Sequence, residues 1–302
     1  MKYTFGPINS RRFGLSLGID LSPKSKSCNF DCLYCELEAS KAVDKITDPP
    51  KIEDIIKDVK SALLKFPDIE VITITSNGEP TLYQDLDDLV DELNKIKLDK
   101  KLLILSNAST IYDKKIQDIL KKIDIVKLSL DSAIESTFKK LDRPLHDIKL
   151  ENIINGLIEF RKTYDKSLVI EILVVKNLND TPKQMQELNR VLQKIKPNRV
   201  DLGTIDRPSA YHVEAVDTNT LKKLSKEFEN LALSIIYKNR PKQKIDFTKE
   251  QILQTLKRRP QSLHDIEYLF SKKSKKNLQE LIDNKKVVST KIATLKFYIL
   301  AS

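Results

Sequence analysis

The chain is poor in the residues that usually staple or break a fold. In 302 residues there are three cysteines, three histidines, six glycines and no tryptophan. Three cysteines are an odd number, so a disulfide framework of the kind that holds small secreted domains is a poor reading. No run approaches the roughly 18 to 20 apolar residues of a membrane span, and the opening Met-Lys-Tyr-Thr-Phe-Gly has no signal-peptide character. The reading is therefore a cytoplasmic protein with reduced thiols and no membrane association. An average chain of this length carries about twenty glycines. Of the six here, Gly6, Gly14 and Gly18 precede the cysteines, Gly78 lies in Asn77-Gly78-Glu79-Pro80 and Gly203 ends an apolar run, while only Gly156 sits in a helical pattern. Glycines so placed mark tight turns or a close approach of backbone to a ligand.

What the chain does have is concentrated. All three cysteines fall within Cys28-Asn29-Phe30-Asp31-Cys32-Leu33-Tyr34-Cys35. Thiolates at i, i+4 and i+7 on a short loop can converge on a metal centre, and one coordination position must then be filled from outside the cysteine pool. Zinc with His146, His212 or His264 as fourth ligand is one such arrangement. A four-iron cluster with one open iron is another.

Charge is also unevenly placed. The net charge is +10, yet residues 1–237 hold 37 basic and 37 acidic residues, and the whole excess comes from 16 against 6 in residues 238–302. A neutral body with a basic end suggests a polyanion-binding module, the plainer alternative being a solvated lysine-rich surface.

Strand-like runs fall at Leu15–Asp20, Val71–Thr75, Leu102–Leu105, Ile125–Leu130, Leu168–Val175 and Arg199–Gly203. Amphipathic helices alternate with them, one opening at Pro50 and others near Leu86–Ile96, Asp113–Lys122, Leu150–Arg161, Pro182–Ile195 and Asn219–Leu233. Six βα units with continuous apolar strands predict a parallel sheet covered by helices, and too few strands to close an eight-fold barrel. Ligands in such arrays sit at the strands' C-terminal ends, where this chain places Ser76–Pro80, Ser106-Asn107, Ser129 with Asp131, and Thr204–Pro208. Residues 238–247 read as a basic linker. Residues 248–302 then read as three helices and a hairpin, opened by a capping box at Thr248 and Gln251 and by Ser262, which resembles a winged helix-turn-helix.

Cys28-x3-Cys32-x2-Cys35, with aromatic Tyr34 before the last cysteine, resembles the cluster loop of the radical S-adenosylmethionine (radical SAM) superfamily. The run from Phe5 to Asp20, Phe-Gly-Pro-Ile-Asn-Ser-Arg-Arg-Phe-Gly-Leu-Ser-Leu-Gly-Ile-Asp, resembles more narrowly a branch related to the wybutosine-synthesis enzymes that modify tRNA. The resemblance covers roughly residues 5 to 210, and it departs from those enzymes in lacking the further cysteines of a second cluster.

It implies a partial (βα)6 parallel barrel over residues 1–237, with the winged-helix-like module appended at 248–302. It also implies one [4Fe-4S] cluster on Cys28, Cys32 and Cys35, whose open iron is chelated by S-adenosylmethionine. A low-potential donor such as flavodoxin or ferredoxin supplies one electron, and a 5′-deoxyadenosyl radical abstracts hydrogen from substrate. By position, Gly78 and Glu79 hold the methionine ammonium, with Asn77 standing where many members have a second glycine. Tyr34 contacts adenine, and Ser129, Asp131 and Asn107 are candidates for the ribose hydroxyls.

Arg11, Arg12, Arg207 and His212 are candidates for contact with substrate. The basic module, with Lys272, Lys273, Lys275, Lys276, Arg258 and Arg259, points to RNA, most plausibly tRNA. A peptide or protein recognised by the module is the alternative. A metal-sensing DNA-binding regulator is the non-enzymatic one.

Overall fold

The computed structural model describes residues 2–10, 12–235, 244–258, 260–292 and 295–301, which omits Arg11, Arg259 and most of the basic linker. An eight-stranded sheet runs in strict sequence order: β1 (Thr4–Ser10), β2 (Gly14–Asp20), β3 (Val71–Thr75), β4 (Lys101–Ser106), β5 (Ile125–Ser129), β6 (Ser167–Val174), β7 (Arg199–Thr204) and β8 (Leu233–Ile235). β1 pairs antiparallel with β2, and every later pairing is parallel. β1 and β8 are its two edges.

The crossovers carry α1 (Ile52–Lys65), α2 (Leu86–Ile96), α3 (Lys114–Lys121), α4 (Glu135–Leu141) with α5 (Leu150–Thr163), α6 (Pro182–Ile195) and α7 (Thr218–Leu224). In a sheet of sequential order, right-handed crossovers put every helix on the same face. Burial follows that geometry. Leu17, Ile19, Ile72, Ile74, Leu102, Ile104, Val126, Leu128, Ile170, Ile172, Val200 and Leu202 join the helices' buried residues in one hydrophobic core. The alternate positions, facing away from the helices, include Ser16, Gly18, Thr73, Leu103, Lys127, Ser129 and Glu171, and these line a cavity.

The six expected strands are β2 to β7. The helix expected over Asn219–Leu233 is shorter, because α7 stops at Leu224, a 3-10 turn follows at Ser225–Glu227, and Asn230 takes a left-handed backbone (φ +53°) before β8. β1, α4 and β8 are additions to the sequence reading.

The C-terminal residues have their own core. α8 (Lys249–Arg258), β9 (Gln261–Ser262), α9 (Leu263–Leu269), α10 (Lys272–Asp283), β10 (Val287–Ile292) and β11 (Leu295–Leu300) enclose Phe247, Ile252, Leu256, Ile266, Leu269, Phe270, Leu278 and Tyr298. The antiparallel sheet has the order β10-β11-β9. Thr248 and Gln251 form the expected reciprocal cap, Ser262 and Asp265 form another, and Ser271 caps α10. Ile245 pairs with Phe270, so the last linker residues are packed into this unit. α8 lies against β1. Among the described residues no helix is long and apolar enough to cross a membrane.

Candidate active site

The cysteine loop follows β2 and is fastened on three sides. Ser27 bridges Gly78 in the loop after β3: the Ser27 N–H donates to the Asn77 carbonyl (2.8 Å) and the Glu79 N–H to the Ser27 carbonyl (2.9 Å). Asp20, at the end of β2, accepts from the Ser22 N–H (3.0 Å) and the Asn77 N–H (2.8 Å), tying both loops to one carboxylate. On the far side, the Asp31 and Leu33 N–H groups donate to the carbonyls of Asp142 and Leu141, and the Ala210 N–H donates to the Cys35 carbonyl (2.7 Å). Gly78 has φ +142°, and a Cβ there would lie 1.8 Å from the Ser27 oxygen. Only glycine allows this approach.

The three thiols are half-buried and not joined by disulfides. Cys28 Sγ accepts from the Phe30 N–H (3.4 Å) and from the Asn107 side-chain amide (3.6 Å). Burial, reinforced by the Glu79 charge, pushes the Cys28 thiol up to about 12, and burial raises the Cys32 thiol as well. Free thiols in that environment stay protonated, whereas metal coordination deprotonates them. Among the described residues no three His, Cys, Asp or Glu side chains converge closely enough for a single ion. His146 and His212 are exposed, and the side chain of His264 lies outside the described set. A preformed zinc site with histidine as fourth ligand is therefore not present there. A four-iron cube distributes its thiolates over separate irons, and amide donors to a sulfur are among the contacts that tune such clusters. The loop fits that group.

Beside the loop a cavity of about 490 Å³ opens at the C-terminal ends of the strands, lined among others by Tyr34, Cys35, Gly78, Glu79, Asn107 and Ser129. This volume falls in the small-molecule class. Glu79 is fully buried, and its carboxylate accepts from the Thr81 N–H (3.0 Å), the Thr81 hydroxyl (2.7 Å) and the Asn107 N–H (2.7 Å). Burial raises its pKa. The same side chain thus lines the cavity and locks the ends of β3 and β4 together.

Asp131 departs from the sequence expectation. It sits behind Tyr34, donating nothing to the main cavity: its carboxylate accepts from the Leu173 N–H (2.7 Å) and from the Tyr34 hydroxyl, which also reaches Asp142 (3.3 Å). Burial pushes Asp131 up to about 7 and raises Asp142 as well, helped there by the Asp131 charge. Asp131 positions Tyr34, while Asn107 and Ser129 keep their place on the cavity wall.

Of the four substrate candidates, Arg12 and Arg207 line the cavity, His212 is exposed and absent from its lining, and Arg11 lies outside the described residues. Arg207 is buried, pairs with Glu36 of the cysteine loop (3.1 Å) and with Asp265 (3.7 Å), and donates to the Pro260 carbonyl. It fastens the C-terminal unit to the cavity mouth.

A set of charges on the sheet escaped the sequence reading. Lys127 of β5, Glu171 of β6 and Asp201 of β7 interrupt strands otherwise read as apolar, all on the cavity side. A charge in the middle of a buried strand was the available signal.

The chain matches the model of the radical SAM superfamily over residues 22–188. It is 38% identical over 298 residues to a UPF0026 protein of Helicobacter pylori strain J99, covering 97% of this chain and 96% of that one. A probable GTP 3′,8-cyclase of Pyrococcus abyssi is 25% identical over 221 residues, 70% of this chain and 65% of that one. Among solved structures, Streptococcus suis SuiB bound to its precursor peptide SuiA superposes with a TM-score of 0.58 at 20% identity. That match covers 74% of this chain and about half (49%) of SuiB.

Proposed function

The chain belongs to the radical SAM superfamily, and we propose that Cys28, Cys32 and Cys35 hold one [4Fe-4S] cluster beside S-adenosylmethionine in the cavity. What carries this reading is the Ser27–Gly78 bridge, which fixes the cysteine loop against the Gly78-Glu79 rim so that both border one cavity. When bound, the cluster supplies one electron to the sulfonium, whose S–C5′ bond breaks to give methionine and a 5′-deoxyadenosyl radical.

The chain's own residues bind and shield. The backbone at Gly78 and the remaining lone pairs of Glu79 receive the methionine ammonium. Tyr34, held by Asp131, borders the adenosine with Asn107 and Ser129. Leu103, Leu105, Leu173 and Phe5 give the cavity an apolar wall that keeps water from a reactive carbon radical. The sheet acts as a partial barrel, open between β8 and β1.

A macromolecule can present only one residue to a cavity of this size, so its body lies outside. RNA is the substrate class we favour, supported by the exposed Lys272, Lys273 and Lys276 at the start of α10, in a unit we read as a winged helix. A low-potential flavodoxin or ferredoxin is the fitting electron donor.

Anaerobic reconstitution with iron and sulfide, then dithionite and S-adenosylmethionine, tests the chemistry. Wild type yields 5′-deoxyadenosine and Cys32→Ala yields none; equal absence of the nucleoside from both rejects the reading.

A further inference from the structure

Asn107 follows directly on β4, in a turn where the Ala108 N–H donates to the Ser106 hydroxyl (3.1 Å) and Ala108 takes a left-handed backbone (φ +64°). The turn aims the Asn107 side chain at the cysteine loop. One hydrogen of its amide goes to the Asn29 side-chain oxygen (2.9 Å) and the other to Cys28 Sγ (3.6 Å), while its oxygen accepts from the Ser109 N–H (2.9 Å). These partners fix which way the amide faces. Turned over, it would set its NH2 against the Ser109 N–H and its oxygen against the Asn29 oxygen and the Cys28 sulfur, with repulsive pairings in place of bonds. Asn29 is buried and cannot swing away, because its own amide donates to the Ser109 hydroxyl (2.7 Å), which donates back to the Asn29 oxygen (3.0 Å).

We infer that Asn107 is a positioning residue that acts through Cys28, its amide N–H holding up the reduction potential of the cluster that Cys28 ligates. The argument is electrostatic. A coordinated cysteine is a thiolate, and one-electron reduction adds negative charge to the cluster and its sulfurs. An N–H dipole aimed at one of those sulfurs stabilises the reduced form more than the oxidised form, so such a donor raises the potential. Cys28 Sγ also accepts from the Phe30 N–H (3.4 Å), but that donor belongs to the loop itself. The Asn107 donor comes from the end of another strand, 79 positions along the chain, and depends on the identity of one side chain.

The ribose role expected of Asn107 from the sequence competes for the same hydrogens. Both are spent within the protein, so the amide borders the adenosine with no donor left to offer it.

The inference deepens the cluster reading proposed above and rests on it. Its test is an anaerobic redox titration of the reconstituted full chain with dithionite, followed by electron paramagnetic resonance, with S-adenosylmethionine left out. The cluster gains one electron as dithionite is oxidised. Asn107→Leu, similar in size but without a donor, and Asn107→Ser, too short to reach the sulfur, both have a lower midpoint than wild type. At a solution potential set to the wild-type midpoint, the ratio of reduced to oxidised cluster falls several-fold in each, a tenfold fall being a downward shift of about 59 mV for one electron. Ser109→Ala removes the hydroxyl bonds to Asn29 while leaving the Ser109 N–H and the Asn107 amide in place, and it keeps the wild-type midpoint. That contrast separates the loss of a donor to sulfur from a general loosening of the network.

A midpoint unchanged or raised in the Asn107 variants overturns the inference. So does an equal fall in Ser109→Ala, and so does failure of both Asn107 variants to hold iron, which would make the residue a strut for the loop. A wild-type chain that takes up no iron rejects the cluster reading itself, whereas an iron-loaded wild type with unshifted variants rejects only the role of Asn107.

Discussion

Gly78 shows how much of the site depends on one missing side chain. Its Cα approaches the Ser27 carbonyl so closely that a methyl group would overlap it, and the φ of +142° adds strain for any L-residue. Strained backbone of this kind costs about 1–3 kcal/mol before the clash is counted. Gly78→Ala therefore pushes the two loops apart. The expected outcome is a chain that keeps its helical content but loses bound iron after reconstitution, and that forms 5′-deoxyadenosine about a hundredfold more slowly, as misplacement by an ångström does in other active sites. Iron quantification alongside the nucleoside assay checks it.

Residues of this sort were legible because their chemistry is rare: three cysteines within eight positions and a glycine in a glycine-poor chain. Lys127, Glu171 and Asp201 were not, because each looks like an isolated interruption until the strand register brings them together. Tyr34 and Asp131 were found as residues but not as a pair, since nothing along the chain shows that a residue 97 positions away takes the tyrosine hydroxyl.

At the scale of elements, periodicity located β2 to β7 and most helices because each buries one apolar stripe against the sheet. It failed where an element is short or its composition ambiguous. β1 contains Gly6-Pro7, which reads as a turn, and α4 has only seven residues, with Phe138 and Leu141 as its buried contacts. The stretch after Leu224 keeps a helical pattern of apolar residues although the backbone has turned to enter β8. The contact between the C-terminal unit and the cavity mouth was equally hidden, because Arg207 meets Pro260 and Asp265 only in space.

Two substitutions test these elements. Arg207→Ala removes the donor to Pro260 and leaves that carbonyl short of a partner, a loss of about 1–3 kcal/mol. Residues 244–301 should then exchange amide hydrogens and be cleaved by protease sooner than in wild type, while β3 to β7 stay protected. Thr181 caps α6 by accepting from the Gln184 N–H, so Thr181→Ala should lower stability by about 1 kcal/mol in a denaturant titration without altering cofactor binding.

For the whole molecule the decisive property is the separation of charge from chemistry. The body is neutral over residues 1–237, whereas the excess of ten positive charges belongs to residues 238–302. On the reading proposed above, a substrate drawn by that excess is held outside the cavity by salt-sensitive contacts, and only a small part of it enters. If about six lysines and arginines neutralise phosphates, RNA affinity falls on the order of 10³-fold between 50 and 200 mM salt. Lys272, Lys273 and Lys276 are exposed together at the start of α10, so changing all three to Glu removes about half of those contacts. The expected result is a salt slope about half as steep for the full-length variant, with 5′-deoxyadenosine formation in the absence of RNA unchanged, because none of the three borders the cavity. Filter binding across a salt series measures the slope. A wild-type slope near zero would remove RNA as the partner of the basic end while leaving the cavity's chemistry intact.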